Sequence, residues 1–461
     1  MPALFGIAEK SAIFFGTLSE TIMIHAFNFK NEYFVYDVES GSLHEIDKII
    51  YDILRGGDLS AYDEAEIAEA KQEIGQLKSQ GLLDAEAPEY KPQEKRLDVK
   101  AMCLHVCHDC NLRCGYCFAK EGTYSGAREM MSFETAKKAM DFLIDNSADR
   151  KILEVDFFGG EPLMNFDVLK RTVEYAKKRG GEKGKIFKFT TTTNGVLLNK
   201  ETSDYLNAEM DNVVLSLDGR KEVNDAVRKT ANGKGSFDLI TDNFKYFRSI
   251  RGDKSYFVRG TFTAKNLDFS KDVLFMNDLG FDQISIEPVV LPEEHPLAIH
   301  ESDLPIIFAE YEKLAEEYIK RRQTDKWFSF FHFVLHLDDG PCYKKRLVGC
   351  GAGSEYLAVA PNGDIYPCHQ FVGENKYVIG NVNGGALNDD LRHAFARSSI
   401  FTKPECMNCW AKYHCSGGCN ANAVHANGDM NKPYRTACEM MKKRLECSMY
   451  IFAKEKAGDV F

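Results

Sequence analysis

The chain has 461 residues, 44% apolar and 28% charged, with a formal net charge of −11 at pH 7. That length allows roughly two to four domains with cores of their own, and the acidic balance excludes a broad nucleic-acid surface, which needs clustered Lys and Arg. No apolar run reaches the ~18–20 residues that span a bilayer, and 14 cysteines in a long chain without an export signal point to metal ligation in a reducing cytoplasm rather than to disulfides.

Residues 1–20 are apolar in places, but Glu9 and Lys10 interrupt the run, so the segment reads as folded or docked chain and not as a signal peptide. Residues 21–90 open with the alternating MIHAFNFKNEYFVYDV, which predicts a β-hairpin turning near Lys30–Glu32. Helical periodicity follows in IDKIIYDIL and in EAEIAEAKQEIGQLKSQGLL, stopping at Gly81. The polar YKPQEKRLDVK at 90–100 reads as a linker.

From 101 to 300 strands and helices alternate. The strand candidates are AMCLHVC (101–107), KILEVDFF (151–158), KIFKFTTT (185–192), NVVLSL (212–217), SYFVRGTFT (255–263) and DQISIEPVV (282–290). Six β-α repeats predict an α/β fold with a parallel sheet, open or curled into part of a barrel, with its chemistry at the C-terminal strand ends. Residues 301–345 read as a mostly helical bridge. In 346–461 regular pattern weakens, and from Cys342 onward nine cysteines appear, as where metal replaces an apolar core.

The stretch CLHVCHDCNLRCGYCF (103–118) holds C-x3-C-x2-C twice, as Cys103, Cys107, Cys110 and as Cys110, Cys114, Cys117. Strand alternation puts Met102, Leu104 and Val106 on one face, with Cys103, His105 and Cys107 on the other. Cys103 and Cys107 then stand about 13 Å apart along a strand, too far to share one small cluster. The second triad lies in the loop after the strand, where Gly115 eases the turn, so Cys110, Cys114 and Cys117 are the expected ligands. Buried thiols, or a four-cysteine zinc site spanning both triads, are the competing readings. Three thiolates suit a four-iron cluster with one iron left without a protein ligand.

CNLRCGYC, with an aromatic before its last cysteine and a strand before its first, resembles the signature of the radical S-adenosylmethionine enzymes. That resemblance implies a partial (β/α)6 barrel and S-adenosylmethionine on the open iron. In the family GGEP (Gly159–Pro162) after the second strand holds the methionine amino group, so Gly159, Gly160 and Glu161 become cofactor contacts. Glycines would let the backbone approach the ligand, and the Glu161 carboxylate or neighbouring carbonyls would accept from the ammonium. TTTNG, with Thr192 and Asn194, ends strand three; SLDG, with Ser216 and Asp218, ends strand four. Ser216 is implied as a contact for the cofactor's polar groups, and Arg228 or Arg259 for its carboxylate. Tyr116 and Phe118 are adenine neighbours or core residues.

The C-terminal order Cys350, Cys368, Cys406-x2-Cys409-x5-Cys415-x3-Cys419, Cys438 resembles the SPASM domain, which carries two auxiliary iron–sulfur clusters; zinc is the rival reading. The resemblance assigns Cys406, Cys409, Cys415 and Cys438 to an outer cluster, and Cys350, Cys368 and Cys419 to an inner one nearer the barrel. The cofactors implied are therefore S-adenosylmethionine and three [4Fe-4S] clusters. Seven cysteines leave the inner cluster one short. Either Cys342 or Cys447 completes it, or an iron stays open for a substrate thiolate.

Residues 21–90 resemble the winged-helix-like element with which peptide-modifying enzymes take up a leader peptide by strand addition. The combination resembles thioether-forming maturases of cysteine-rich SCIFF peptides. It implies a cysteine-rich precursor peptide and an external one-electron donor, flavodoxin- or ferredoxin-like, as partners. A radical made from the cofactor would take hydrogen from a carbon of the peptide, a cysteine sulfur would bond to that carbon, and the auxiliary clusters would accept the surplus electron. Another radical modification of a peptide, or a non-enzymatic iron–sulfur or zinc peptide-binding protein, is the alternative. His105, His108 and His369 lie near ligands without marking a general base.

Overall fold

The structure is a computed structural model that describes residues 23–87, 96–335, 337 and 347–458; the segment 1–20 and Cys342 lie outside the described residues. Strands β1 (Ile24–Phe29) and β2 (Glu32–Asp37) pair antiparallel around a tight turn, with Phe29 opposite Glu32 and Lys30 at φ 55°. β3 (Leu43–Ile46) adds to β2, and helices α1 (Lys48–Arg55) and α2 (Glu64–Ser79) follow. Alternation along β2 sorts its side chains: Val35 joins Ile46, Ile50, Ala70 and Ile74 inside the module, while Phe34 and Tyr36 point into the main core.

The outward face docks on the C-terminal region, chiefly on the turn between two cysteines. His25 stacks on Trp410 with ring centroids 3.8 Å apart, and Tyr36 Oη meets His414 Nε2 at 2.9 Å. The Glu39 carboxylate accepts from Lys412 Nζ at 2.6 Å and from Tyr413 Oη at 2.8 Å. Phe29 stacks on Tyr450 at 3.8 Å. Removing Glu39 takes the buried carboxylate away from the half-buried Lys412 ammonium and from Tyr413, a loss of about 1–3 kcal/mol. Glu39→Ala is therefore expected to release the module. Hydrogen exchange checks this: β1–β3 should lose amide protection while the barrel keeps its own.

All six expected strands are present, parallel and in sequential order: β4 (Ala101–His108), β5 (Ile152–Gly159), β6 (Ile186–Thr193), β7 (Asn212–Ser216), β8 (Tyr256–Phe262) and β9 (Gln283–Pro288). Amphipathic helices α3 (Phe133–Asp145), α4 (Phe166–Glu182), α5 (Lys200–Glu209), α6 (Phe237–Arg251) and α7 (Phe269–Asp278) connect them, their apolar stripes filling the core with residues such as Leu143, Leu169 and Phe244.

The sheet extends further than expected. After α8 (Leu304–Arg322), β10 (Ser329–Phe330) pairs parallel with β9, so the bridge is only partly helical. At the other edge β11 (Tyr356–Val359) pairs parallel with β4, and β12 (Asp364–Tyr366) and β13 (Gly380–Asn381) follow antiparallel. The C-terminal region is thus less irregular than its cysteine density suggested: it continues the parallel sheet and ends in α9 (Arg435–Lys456), packed on α8.

One correction falls on β4. Its register with β5 shifts between His105 and Cys107, and this irregularity breaks the period-two pattern. Cys107 therefore joins Met102, Leu104 and Val106 in the main core, while Cys103 packs with Tyr124, Ala358 and Tyr366. Among the described residues no helix is long and apolar enough to cross a membrane.

Candidate active site

β4 delivers the chain to the cysteine loop, and two neighbouring segments hold that loop in place. On one side Gly160 N donates to Cys107 O at 2.8 Å and Glu161 N donates to Asp109 O at 2.9 Å. The glycines are needed for this closeness: a Cβ on Gly159 would lie 2.1 Å from Cys107 O, and one on Gly160 2.1 Å from Asp109 O. They therefore let backbone pack on backbone, a purpose different from the ligand approach expected of them. On the other side Leu112–Cys114 pairs antiparallel with Arg228–Thr230, and Gly115 N donates to Val227 O at 2.8 Å. Gly115 has no positive φ; the left-handed residues come later, at Lys120, Glu121, Gly122, Tyr124 and Ser125.

Cys110, Cys114 and Cys117 line one wall of a cavity of about 520 Å³ at the C-terminal strand ends. Burial pushes the Cys110 thiol up to about 12 and Cys114 up to about 11, although the Arg228 guanidinium pulls Cys114 down. These are thiols that ionise on binding metal. Asn194 Nδ2 reaches Cys110 Sγ at 3.6 Å and Asn111 Oδ1 at 2.7 Å, so it orients a ligand sulfur.

The remaining expected contacts divide. Gly159, Gly160, Glu161, Thr192, Ser216, Tyr116, Phe118, Arg228 and Arg259 all line the cavity. Among the described residues the Ser216 hydroxyl has no protein hydrogen bond, and Phe118 is 45% exposed, so both face the space a ligand would fill. Glu161 is used differently: its carboxylate accepts from Leu163 N at 3.1 Å, Thr193 Oγ1 at 2.8 Å and Asn194 N at 2.7 Å. Three of its acceptor positions are taken up as a bracket between the ends of β5 and β6. Burial lifts its carboxyl to about 7 against those three donors.

Asp218 does not line the cavity. Fully buried, it pairs with Arg228 Nε at 3.0 Å and accepts from Tyr116 Oη at 2.7 Å and Thr261 N at 2.9 Å. Arg228 is spent on this pair, with its guanidinium 5.6 Å from the Tyr116 ring centroid. Arg259 instead projects from β8 into the cavity, exposed, with Asp156 and Glu287 as charged neighbours. It is the better placed of the two to meet a carboxylate. Asp218→Ala should cost about 3–5 kcal/mol by stranding a buried guanidinium. Thermal denaturation and calorimetric titration with S-adenosylmethionine check it, and both melting temperature and affinity are expected to fall.

The seven C-terminal cysteines gather into two sets. Cys438 has Cys415, Cys406 and Cys409 as electrostatic neighbours, and Cys368 has Cys419 and Cys350. Cys368 also neighbours Cys103 on β4, which places its set on the barrel side. Among the described residues no three His, Cys, Asp or Glu side chains close on a single ion; a four-iron cluster carries its cysteines on separate irons, so its ligands need not converge. Cys447 is fully buried among Lys443, Glu446 and Glu312 and does not stand with the inner set. Cys415, Cys419 and Cys438 line the same cavity as the barrel triad.

Sequence reasoning missed a further group. Glu287 and Arg444 line the cavity, and His332 joins them, its Nε2 3.0 Å from Glu287 Oε1 and its Nδ1 accepting from Arg444 at 3.0 Å. Although burial raises it, the contact with His332 and the nearby Arg259 and Arg444 guanidinium groups hold the Glu287 carboxyl down at about 2. His105, His108 and His369 are held neutral by burial, the last two near 4, and His369 lines the cavity with Tyr356 Oη 3.1 Å from its Nδ1.

Comparison with known proteins follows the same division. Residues 104–262 match the radical SAM superfamily, and residues 350–410 match SPASM, an iron–sulfur cluster-binding domain. The chain is 25% identical over 456 residues to the radical SAM cyclopropyl synthase TigE of Paramaledivibacter caminithermalis, covering 89% of this chain and 91% of that protein. Its fold resembles anSMEcpe with bound AdoMet (TM-score 0.62, 17% identity, 76% of this chain and 98% of that one). It also resembles Streptococcus suis SuiB bound to precursor peptide SuiA (TM-score 0.51, 19% identity, 91% and 98%).

Proposed function

The chain is a radical SAM protein with a SPASM domain, and from that premise we propose that it is a peptide maturase forming cysteine sulfur-to-carbon thioether crosslinks in a ribosomally made, cysteine-rich precursor. The observation that carries the thioether is the inner cysteine set. Cys350, Cys368 and Cys419 stand together, and Cys419 opens on the reaction cavity. An iron there takes a substrate thiolate, matched as iron is to sulfur.

When bound on Cys110, Cys114 and Cys117, the cluster and S-adenosylmethionine supply one-electron cleavage and hydrogen-atom abstraction from carbon. The chain's own residues do the positioning. Arg259 takes the cofactor carboxylate, Ser216 a polar group, and Phe118 the flat face of the adenine. The C-terminal domain closes the cavity over them and keeps water from the reacting carbon. One hydrogen atom would leave the carbon and one proton the thiol as the carbon–sulfur bond forms; the one surplus electron would pass to clusters held by the C-terminal cysteines, and a flavodoxin- or ferredoxin-like donor would supply the electron that starts the reaction. The module over residues 23–87, read as winged-helix-like, holds the leader by strand addition; SuiB, similar in fold, is known bound to its precursor peptide.

The resemblance to a cyclopropyl synthase supports a second reading, carbon–carbon bond formation on the same scaffold. Tandem mass spectrometry after thiol alkylation separates the two. A thioether product carries an unalkylated cysteine joined to its acceptor residue. A product with every cysteine alkylated and a carbon–carbon link would replace the first reading with the second.

A further inference from the structure

Lys403 lies between the two C-terminal cysteine sets, and the reaction scheme above gives it no part. Its side chain is 2% exposed. Nζ donates to Gly417 O and to Asn420 Oδ1, each at 2.8 Å, so both named acceptors are neutral. Gly417 makes room for it: a Cβ there would sit 3.3 Å from Lys403 Cδ and 3.5 Å from Nζ. Its charged neighbours are Cys406 and Cys415 of the outer set together with Cys350 and Cys419 of the inner set. Among the described residues no carboxylate pairs with it. A buried ammonium without a counter-charge is costly. Two anionic sulfur sites, one on each side, are the counter-charge this one has.

We propose that Lys403 is an electrostatic bridge between the two auxiliary iron–sulfur sites, raising the reduction potential of both so that they accept the electron released when the carbon–sulfur bond of the thioether forms. The proposal rests on the reading that both sets hold clusters. Reducing either cluster adds one negative charge, and a cation in a low-dielectric interior favours the more negative state. Because one side chain serves both sets, a single substitution moves two potentials, and the barrel cluster, held on a different loop, does not follow.

The test uses full-length C110A/C114A/C117A protein, so that only auxiliary clusters remain, carrying Lys403→Met, Lys403→Arg or Asn420→Asp in addition. Iron and sulfide are counted, and both midpoints are read by potentiometry followed by electron paramagnetic resonance. In Lys403→Met both midpoints should fall by about tenfold in the one-electron equilibrium, about 59 mV. Lys403→Arg, which keeps the charge, should stay near the parent. Asn420→Asp keeps the lysine but neutralises it, and should lower both midpoints even if Lys403→Met does not assemble its clusters. Loaded clusters with unmoved midpoints, or a Lys403→Arg shift equal to that of Lys403→Met, would overturn the bridge. A parent without iron at the C-terminal cysteines would overturn the cluster reading itself, a result distinguishable from the first.

Discussion

Alanine at Cys110, Cys114 or Cys117 is expected to abolish S-adenosylmethionine cleavage, by at least ~10⁴-fold, and to remove about four irons per chain. The three thiols share one short loop on the cavity wall, and no other cysteine among the described residues lies in that loop. Cys107 gives the contrasting case. Its Sγ donates to Asp109 O at 3.2 Å, and it packs in the core without lining the cavity. Cys107→Ala should keep its iron and its cleavage activity. Iron analysis and quantification of 5′-deoxyadenosine check both; iron loss in Cys107→Ala equal to that in Cys110→Ala would restore the rejected first triad.

The second large effect is expected at Gly160. A methyl group there meets Asp109 O at 2.1 Å and Asp109 C at 2.5 Å, which are backbone atoms that cannot turn aside. Relief requires the β5 loop and the cysteine loop to part, and their two ladder-like hydrogen bonds go with them. Gly160→Ala should therefore destabilise the protein by more than about 4 kcal/mol, the range reserved for backbone strain and overpacking. Gly181, in α4, is the control, because a Cβ there meets nothing within 4 Å. Gly181→Ala should be neutral or stabilising by up to about 1 kcal/mol. Thermal denaturation under anaerobic conditions, with iron counted alongside, measures the contrast.

The two glycines illustrate what the sequence made legible. Motif and position were readable, because a strand ending in GGEP beside a cysteine loop is a local pattern. The physical reason was not, since it depends on which backbone lies opposite. Asp218 and Arg228 show the same division: both were recognised from SLDG and its surroundings, yet they pair with each other, and Arg259 on a later strand is left facing the cavity. The six parallel strands were legible because each concentrates or alternates apolar and β-branched residues between turn signals. The strand Tyr356–Val359, paired between β4 and β12, was not, being four residues long and surrounded by cysteines whose spacing dominated the pattern. Glu287, His332, Arg444 and Lys403 come from separate elements and meet only through tertiary closure. Single charged residues scattered over 158 positions carry no periodic or spacing signal.

Docking of the N-terminal module on the turn between Cys409 and Cys415 gives this arrangement a functional consequence. Trp410, Lys412, Tyr413 and His414 all contact the module, so the loop that carries outer-set cysteines also supports the expected leader-binding element.

The most direct test of the maturase reading is a count of products. The anaerobically reconstituted protein is incubated with S-adenosylmethionine, a reductant and a cysteine-rich candidate precursor peptide. Peptide mass, free thiols and 5′-deoxyadenosine are then measured in the same sample. The account predicts two hydrogens and one free thiol lost for each 5′-deoxyadenosine formed. Abundant 5′-deoxyadenosine with unchanged peptide mass and every thiol still free would contradict it.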